Sequence, residues 1–444
     1  MPVVVPFFTG AKQLTIELAE PVVILRGSPA DNITHVLQGE VSVVLTRPVS
    51  ISQVVVQFIG KTTRLWPEGL AGGRLTNSFH ERTIHEQDVI LQSFPENPKQ
   101  EGVLPAGTHR WPFQFLLSSY LAETIEDQMG QVFYYIVATV HRVGVGATKL
   151  RSRYDVLLLR TPNWSDNALA GNSLPTTSIT SERQLDICDA NICIEKSIVA
   201  GGAQLPISFC ISPNMKHVFI ESMTVILREK KVYRMPELHA RRSESYDYKV
   251  TLHSICEPSS SSLESGSKPA MSLKDLKKAL GLKNAHISLN ENPFQHRIIF
   301  NLPGCMRLNH STTYSEIDIQ HTLKVHIELS SPFDANSNDT AKTDICFETP
   351  FTVLDCRLKE DCSALPTYEQ AMLDDSAVDH QDLPSDSNPT NFFPCPCYLE
   401  YKKKRNVTRR DWIKFRNEST QSPTSPSSLP SSSSIPPPPS YDSL

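Results

Sequence analysis

The sequence predicts an all-β protein: two tandem immunoglobulin-like β-sandwiches followed by a disordered C-terminal tail. Three observations carry this. Apolar residues recur with a period of two, which puts successive side chains on opposite faces of a strand. Helical periodicity is nearly absent, and turn signals such as "SPADN" and "WPEGLAGG" break the runs into short pieces. After Arg357 the apolar alternation stops, and Ser, Pro, Asp and Asn dominate.

The first sandwich is assigned to residues 1–160. "KQLTIEL" aligns Leu14, Ile16 and Leu18, and "EVSVVL" aligns Val41, Val43 and Leu45. "ISQVVVQFIG" aligns Val54, Val56 and Phe58. "QVFYYIVATVHRV" sets Val132, Tyr134, Ile136, Ala138 and Val140 on one face. Residues 161–183, small and polar, read as a linker. The second sandwich is assigned to 184–357. Its series opens with "NICIEKSIVAGGAQLPISFCI", which turns at Gly201-Gly202 and aligns Leu205, Ile207, Phe209 and Ile211. "HVFIESMTVILREKKVY" is one long strand, "HTLKVHIELS" aligns Leu323, Val325, Ile327 and Leu329, and "TPFTVLDCR" closes the series. An insertion near 257–284 holds "MSLKDLKKALGLK". Leu273, Leu276 and Leu280 there mark one short amphipathic basic helix. It either docks on its own sandwich or meets an anionic lipid or acidic partner.

Composition narrows the function. A net charge of −5 gives no argument for nucleic-acid binding. The ten cysteines are scattered and none lies in the first 187 residues, which reads as thiols of a reducing, cytoplasmic compartment. The start "MPVVVPFFTG" is a poor signal peptide, and no run approaches the ~20 apolar residues of a membrane span. The sequons at Asn32, Asn163 and Asn406 therefore read as chance.

The tail, 358–444, cannot bury enough apolar surface to offset the entropy of ordering. It holds two tetrapeptides of the form [LP]-P-x-Y: Leu365-Pro366-Thr367-Tyr368 and Pro438-Pro439-Ser440-Tyr441. Polyproline II has three residues per turn, so the first residue and the Tyr share one edge. An aromatic groove takes the proline ridge and a pocket takes the Tyr, which is how WW domains read their ligands. Leu365 offers a weaker groove contact than Pro438. Between the motifs, Cys395 and Cys397 precede Lys402, Lys403, Lys404 and Arg405. Acylation plus a polybasic run would make a two-signal contact with an anionic membrane; the plain alternative is a solvated basic run. Two cysteines supply half a zinc site, so no metal is assigned. Ser422 and Ser425 precede prolines, and phosphorylation there would add charge upstream of Tyr441.

The segment "LPAGTHRWPFQFLLSSYLAETIEDQMGQVFYYIVATVHR", Leu104 to Arg142, resembles the signature of arrestin N-terminal domains. "VVQFIGKTTRLW" resembles that family's Gly-Lys strand. "ICIEKSIVAGGAQLPISFCISP" and "TPFTVLDC" are similar to the opening and last strands of arrestin C-terminal domains. With the two tail motifs, the whole chain resembles the α-arrestins, or arrestin-related trafficking adaptors. That resemblance implies a non-catalytic adaptor. Its tail recruits a WW-domain HECT-type ubiquitin ligase, and its body engages cytosolic segments of membrane transporters or receptors. Ubiquitin transfer to that cargo then drives endocytosis and sorting. It also implies a cytoplasmic protein recruited to plasma membrane and endosomes. A β-sandwich scaffold for vesicle coats or receptor signalling is the alternative.

No enzyme chemistry is legible. His80 and His85 in "HERTIH" are five apart rather than the four a helical zinc pair requires. His321 and His326 are also five apart, hence on opposite faces of a strand. "IGKTT" lacks the leading Gly of a phosphate loop, since position 55 is Val. No catalytic residue and no cofactor is assigned.

Overall fold

The computed structural model describes residues 11–20, 22–71, 74–94, 102–143, 149–162, 177–256, 273–281, 284–289, 293–332, 340–358 and 395. Two sandwiches follow one another along the chain, as the alternation predicts. The first contains β1 (Ala11–Leu18), β2 (Val22–Arg26), β3 (Thr34–Leu45), β4 (Val49–Ala71), β5 (Arg74–Ser93), β6 (Gly102–Leu104), β7 (Gly107–Ser118), β8 (Ile125–Glu126), β9 (Gly130–Arg142) and β10 (Leu150–Thr161). The second contains β11 (Ile179–Gln184), β12 (Cys188–Ile194), β13 (Ile198–Ala200), β14 (Gln204–Pro213), β15 (Val218–Met235), β16 (Ala240–Lys249), β17 (Thr251–Cys256), helix α1 (Leu273–Gly281), β18 (Ile287–Leu289), β19 (Phe294–Asn301), β20 (Thr312–Thr313), β21 (Ile317–Pro332) and β22 (Thr340–Leu354).

The two halves repeat one plan. In the first, β1-β3-β7 faces a larger sheet ordered β2-β10-β9-β4-β5. In the second, β11-β12-β14-β19-β17 faces β13-β22-β21-β15-β16. Each larger sheet joins a short early strand to the last strand of its domain in parallel, β2 to β10 and β13 to β22. Each also contains a long antiparallel hairpin, β4-β5 and β15-β16.

Burial follows the predicted faces. Val132, Tyr134, Ile136, Ala138 and Val140 of β9 are all buried. Phe58 stacks on Tyr134, with ring centroids 5.6 Å apart, and meets Phe115 from the opposing sheet at 5.8 Å. Leu205, Ile207, Phe209 and Ile211 of β14 lie in the second core with Leu323, Val325, Ile327 and Leu329 of β21. Gly202 holds φ +77° in the predicted turn, a conformation that suits a residue without Cβ. Gly39 in β3 allows a close crossing: a Cβ there would stand 2.6 Å from the Glu17 carbonyl oxygen and from Phe113.

Two expectations are refined. Strand β11 begins at Ile179, inside the stretch read as linker. It is an edge strand with a mostly polar, exposed sequence, so it lacks the apolar alternation that marks the others. Helix α1 docks on its own sandwich: Ala279 belongs to the second core and Leu280 packs against it.

Candidate functional site: a polar interface between the sandwiches

The sandwiches meet through an apolar patch and a buried polar cluster. Tyr233, Ile317 and Ile319 of the second domain join the core of the first. Gly130, at the start of β9, lets Ile317 close in; a Cβ on it would stand 2.7 Å from the Ile317 Cδ1.

Asp127 lies at the centre of the polar cluster, in the turn between β8 and β9. The Lys231 ammonium donates to its Oδ1 at 2.9 Å, and the Asn309 amide donates to the same oxygen at 2.6 Å. The Tyr233 hydroxyl donates to Oδ2 at 2.7 Å, and the Met129 N–H at 3.0 Å. Burial pushes the Asp127 carboxyl up, but Lys231 and Tyr233 outweigh it and hold its pKa at about 2. Lys231 also faces Glu229 at 3.5 Å. Glu229 accepts from the Tyr248 hydroxyl at 3.0 Å and the Asn309 N–H at 2.9 Å, and His321 Nε2 stands 3.6 Å away. Burial opposes its charge too, yet His321 and Lys231 hold it below the usual carboxylate range. Rich in oxygen, the cluster joins the domains through the buried, hydrogen-bonded Asp127–Lys231 pair.

Two further contacts flank it. The β4-β5 hairpin reaches the second domain, where Arg64 meets Glu237 at 3.2 Å and Glu316 at 3.4 Å; Arg82 also pairs with Glu316. On the other side, Arg357 bridges Glu126 of the first domain and Asp355 of its own, both at 3.2 Å. Within the first domain, Arg160 at the end of β10 ties Glu123 at 2.9 Å to the carbonyls of Gly27 and Ser119, both at 3.0 Å.

No local sequence pattern singles these residues out. Asp127 and Lys231 are 104 positions apart, and Asp127 and Asn309 are 182 apart. One signal was present: Val225, Leu227, Glu229, Lys231 and Tyr233 share a face of β15, so two charges sit on an otherwise apolar side.

Of the residues predicted from sequence, Leu365, Pro366, Tyr368, Cys397, Lys402, Lys403, Lys404, Arg405, Ser422, Ser425, Pro438, Pro439 and Tyr441 lie outside the described residues. Cys395 is described, and it departs from the exposure that a lipid anchor needs: it is buried, with its Sγ 3.7 Å from that of Cys305. His321 is a buried core histidine, with Nδ1 2.8 Å from the Ser311 hydroxyl and Nε2 facing the Glu229 carboxylate at 3.6 Å. Among the described residues, no helix is long and apolar enough to cross a membrane.

Residues 26–159 match the arrestin (or S-antigen) N-terminal domain. A Schizosaccharomyces pombe protein named as an arrestin-related trafficking adapter is 24% identical over 88% of this chain and 59% of its own length. The chain thus spans about three fifths of that relative. A second S. pombe protein of the same designation is 23% identical over 80% of this chain and 72% of its own length. The HECT-type ubiquitin ligase-interacting protein creD of Emericella nidulans is 27% identical over 27% of this chain and 21% of its own. The N-terminal domain match, the paired sandwiches and these relatives make the chain similar to the arrestin-related trafficking adapters, with an arrestin N-terminal domain over residues 26–159.

Proposed function

We propose that the protein is a non-catalytic trafficking adaptor. It brings a WW-domain HECT-type ubiquitin ligase to the cytosolic segments of membrane transporters or receptors, whose ubiquitination then drives endocytosis and sorting. One observation carries this reading: a body similar to named trafficking adapters and to a HECT ligase-interacting protein is joined to a tail with two [LP]-P-x-Y motifs. In this reading the ligase reads Leu365-Pro366-Thr367-Tyr368 and Pro438-Pro439-Ser440-Tyr441. The sandwiches, held in fixed relation by the Asp127–Lys231 cluster, engage the cargo. The run from Lys402 to Arg405 adds contact with the anionic membrane at plasma membrane and endosomes, and phosphorylation at Ser422 and Ser425 tunes access to the terminal motif.

Binding to the ligase is bivalent. The two tyrosines are 73 positions apart, and a flexible chain of that length spans roughly 45–50 Å r.m.s.. Linking two weak sites in this way raises avidity by about 10²–10⁴-fold. The test is the affinity of the full chain for a protein carrying two WW domains in tandem, with Tyr368→Ala, Tyr441→Ala and both. Each single change should cost far more than the loss of one independent site, and the double change should abolish binding. Equal, additive losses would refute bivalency, and unchanged binding by the double variant would refute ligase recruitment by these motifs.

A further inference from the structure

Three cysteines from distant parts of the chain converge at the base of the second sandwich, beside the interdomain contact of Arg357. The Sγ atoms of Cys305, Cys356 and Cys395 all lie within 4.8 Å of one another, and all three residues are buried. Two of the three stand on tight turns. Cys305 follows Gly304, whose carbonyl accepts the Arg307 and Leu308 N–H groups at 3.0 and 3.1 Å. Cys356 opens the 3-10 turn Cys356–Leu358. The Gly201-Gly202 turn is packed beneath both: a Cβ on Gly201 would be 3.9 Å from the Cys305 nitrogen and 4.0 Å from the Cys356 Cβ. Gly201 and Gly202 are themselves tied to the Leu354 and Pro303 carbonyls, each at 3.0 Å. The third thiol comes from the tail.

We propose that Cys305, Cys356 and Cys395 form a thiolate metal site, selective for zinc, that fastens the tail to the second sandwich. The spacing fits the ion. Zinc–sulfur bonds of ~2.3 Å in a tetrahedron separate neighbouring sulfurs by about 3.8 Å. Cys305 and Cys395 already stand at 3.7 Å, far beyond the ~2.05 Å of a disulfide. An all-sulfur set favours a soft, tetrahedral ion over calcium or magnesium, which take oxygen. Zinc binding releases one proton from each thiol, and three thiolates around Zn²⁺ leave one negative charge. The Arg357 guanidinium, adjacent in sequence to Cys356 and electrostatically coupled to both Cys356 and Cys395, faces that charge. The fourth position takes water or a further donor.

The expectation from sequence that no metal is bound rested on Cys395 and Cys397 alone; the fold supplies two further thiols beside Cys395, and the proposed site departs from that expectation. It also changes the role of Cys395, since a metal-bound thiolate is not available for acylation. The anchor falls between the two [LP]-P-x-Y motifs, so Tyr368 lies between two fixed points of the chain and Tyr441 lies beyond the second.

The test is the metal content of the full chain, purified with a non-chelating phosphine reductant, and its absorption after cobalt replacement. About one zinc ion per chain and a thiolate-to-cobalt charge-transfer band are expected. Cys395→Ser, outside the described strands, should lose both while the body keeps its far-ultraviolet circular dichroism. Cys356→Ser should do the same, and Cys346→Ser, on an exposed site, should change neither. Zinc well below stoichiometry after reconstitution, zinc retained by Cys395→Ser, or a Cys305–Cys395 disulfide in the metal-free protein would each overturn the proposal.

Discussion

Replacing Lys231 by Met tests what joins the sandwiches. Lys231 is the cation between two buried carboxylates, 2.9 Å from Asp127 and 3.5 Å from Glu229. Methionine keeps much of the stem and its packing near the Tyr246 ring, so the change removes chiefly the charge. Asp127 then retains Tyr233, Asn309 and the Met129 N–H, but no opposite charge from Lys231. Removing one partner of a buried pair costs about 3–5 kcal/mol, because the other charge is left uncompensated. At about 1.36 kcal/mol per decade, that is roughly two to nearly four orders of magnitude in the docking equilibrium. Denaturant unfolding reads the loss, and limited proteolysis reads whether residues 163–176, between the domains, become easier to cut. Asp127→Asn combined with Lys231→Met should recover the part of the cost that comes from Asp127, and the part that comes from Glu229 should remain. A cost below about 1 kcal/mol for Lys231→Met, the value of a solvated surface pair, would refute the buried-pair argument.

Three further outcomes follow from the same structure. The Asp127 pKa of about 2 lies below the ordinary carboxylate value, so its stabilising contribution is complete above about pH 4 and is lost as the pH falls toward 2; acid titration of the unfolding midpoint should show this step, and Asp127→Asn should remove it. Gly39→Ala puts a methyl group against the Glu17 carbonyl and Phe113, so β1 must shift; a loss of about 1–3 kcal/mol is expected by thermal unfolding, and a neutral result would mean that the crossing is not tight. Arg357→Met leaves Glu126 and Asp355 without their shared cation and should lower the unfolding midpoint in the same direction as Lys231→Met, and an unchanged midpoint would show that this flank carries nothing.

The strands were legible because each buries one face, so burial imposes a period of two on β3, β9, β14 and β21. Where that condition fails, the signal fails with it. Edge strand β11 is mostly polar, and the short strands β2 and β13 find their parallel partners 135 and 154 residues away, a pairing that no local pattern encodes. The site was less legible than the fold. Asp127 reads as a turn residue and Lys231 as part of the basic run "REKK"; only tertiary contact makes them partners. Cys305, Cys356 and Cys395 look unrelated until the fold brings them together, the first two beside the Gly201 turn. The tail motifs are the converse case. The recognition proposed for them would lie in a short peptide, which a sequence can carry without help from the fold.

The most direct measurement of the adaptor reading is quantitative proteomics of ubiquitinated membrane transporters and receptors. It compares cells carrying the intact chain, cells lacking it, and cells carrying the Tyr368→Ala, Tyr441→Ala double variant. The account predicts a defined set of cargo whose ubiquitination falls and whose surface level rises equally in the last two. Full ubiquitination of that cargo with the double variant would contradict it, because ubiquitination would then not depend on the proposed tail motifs.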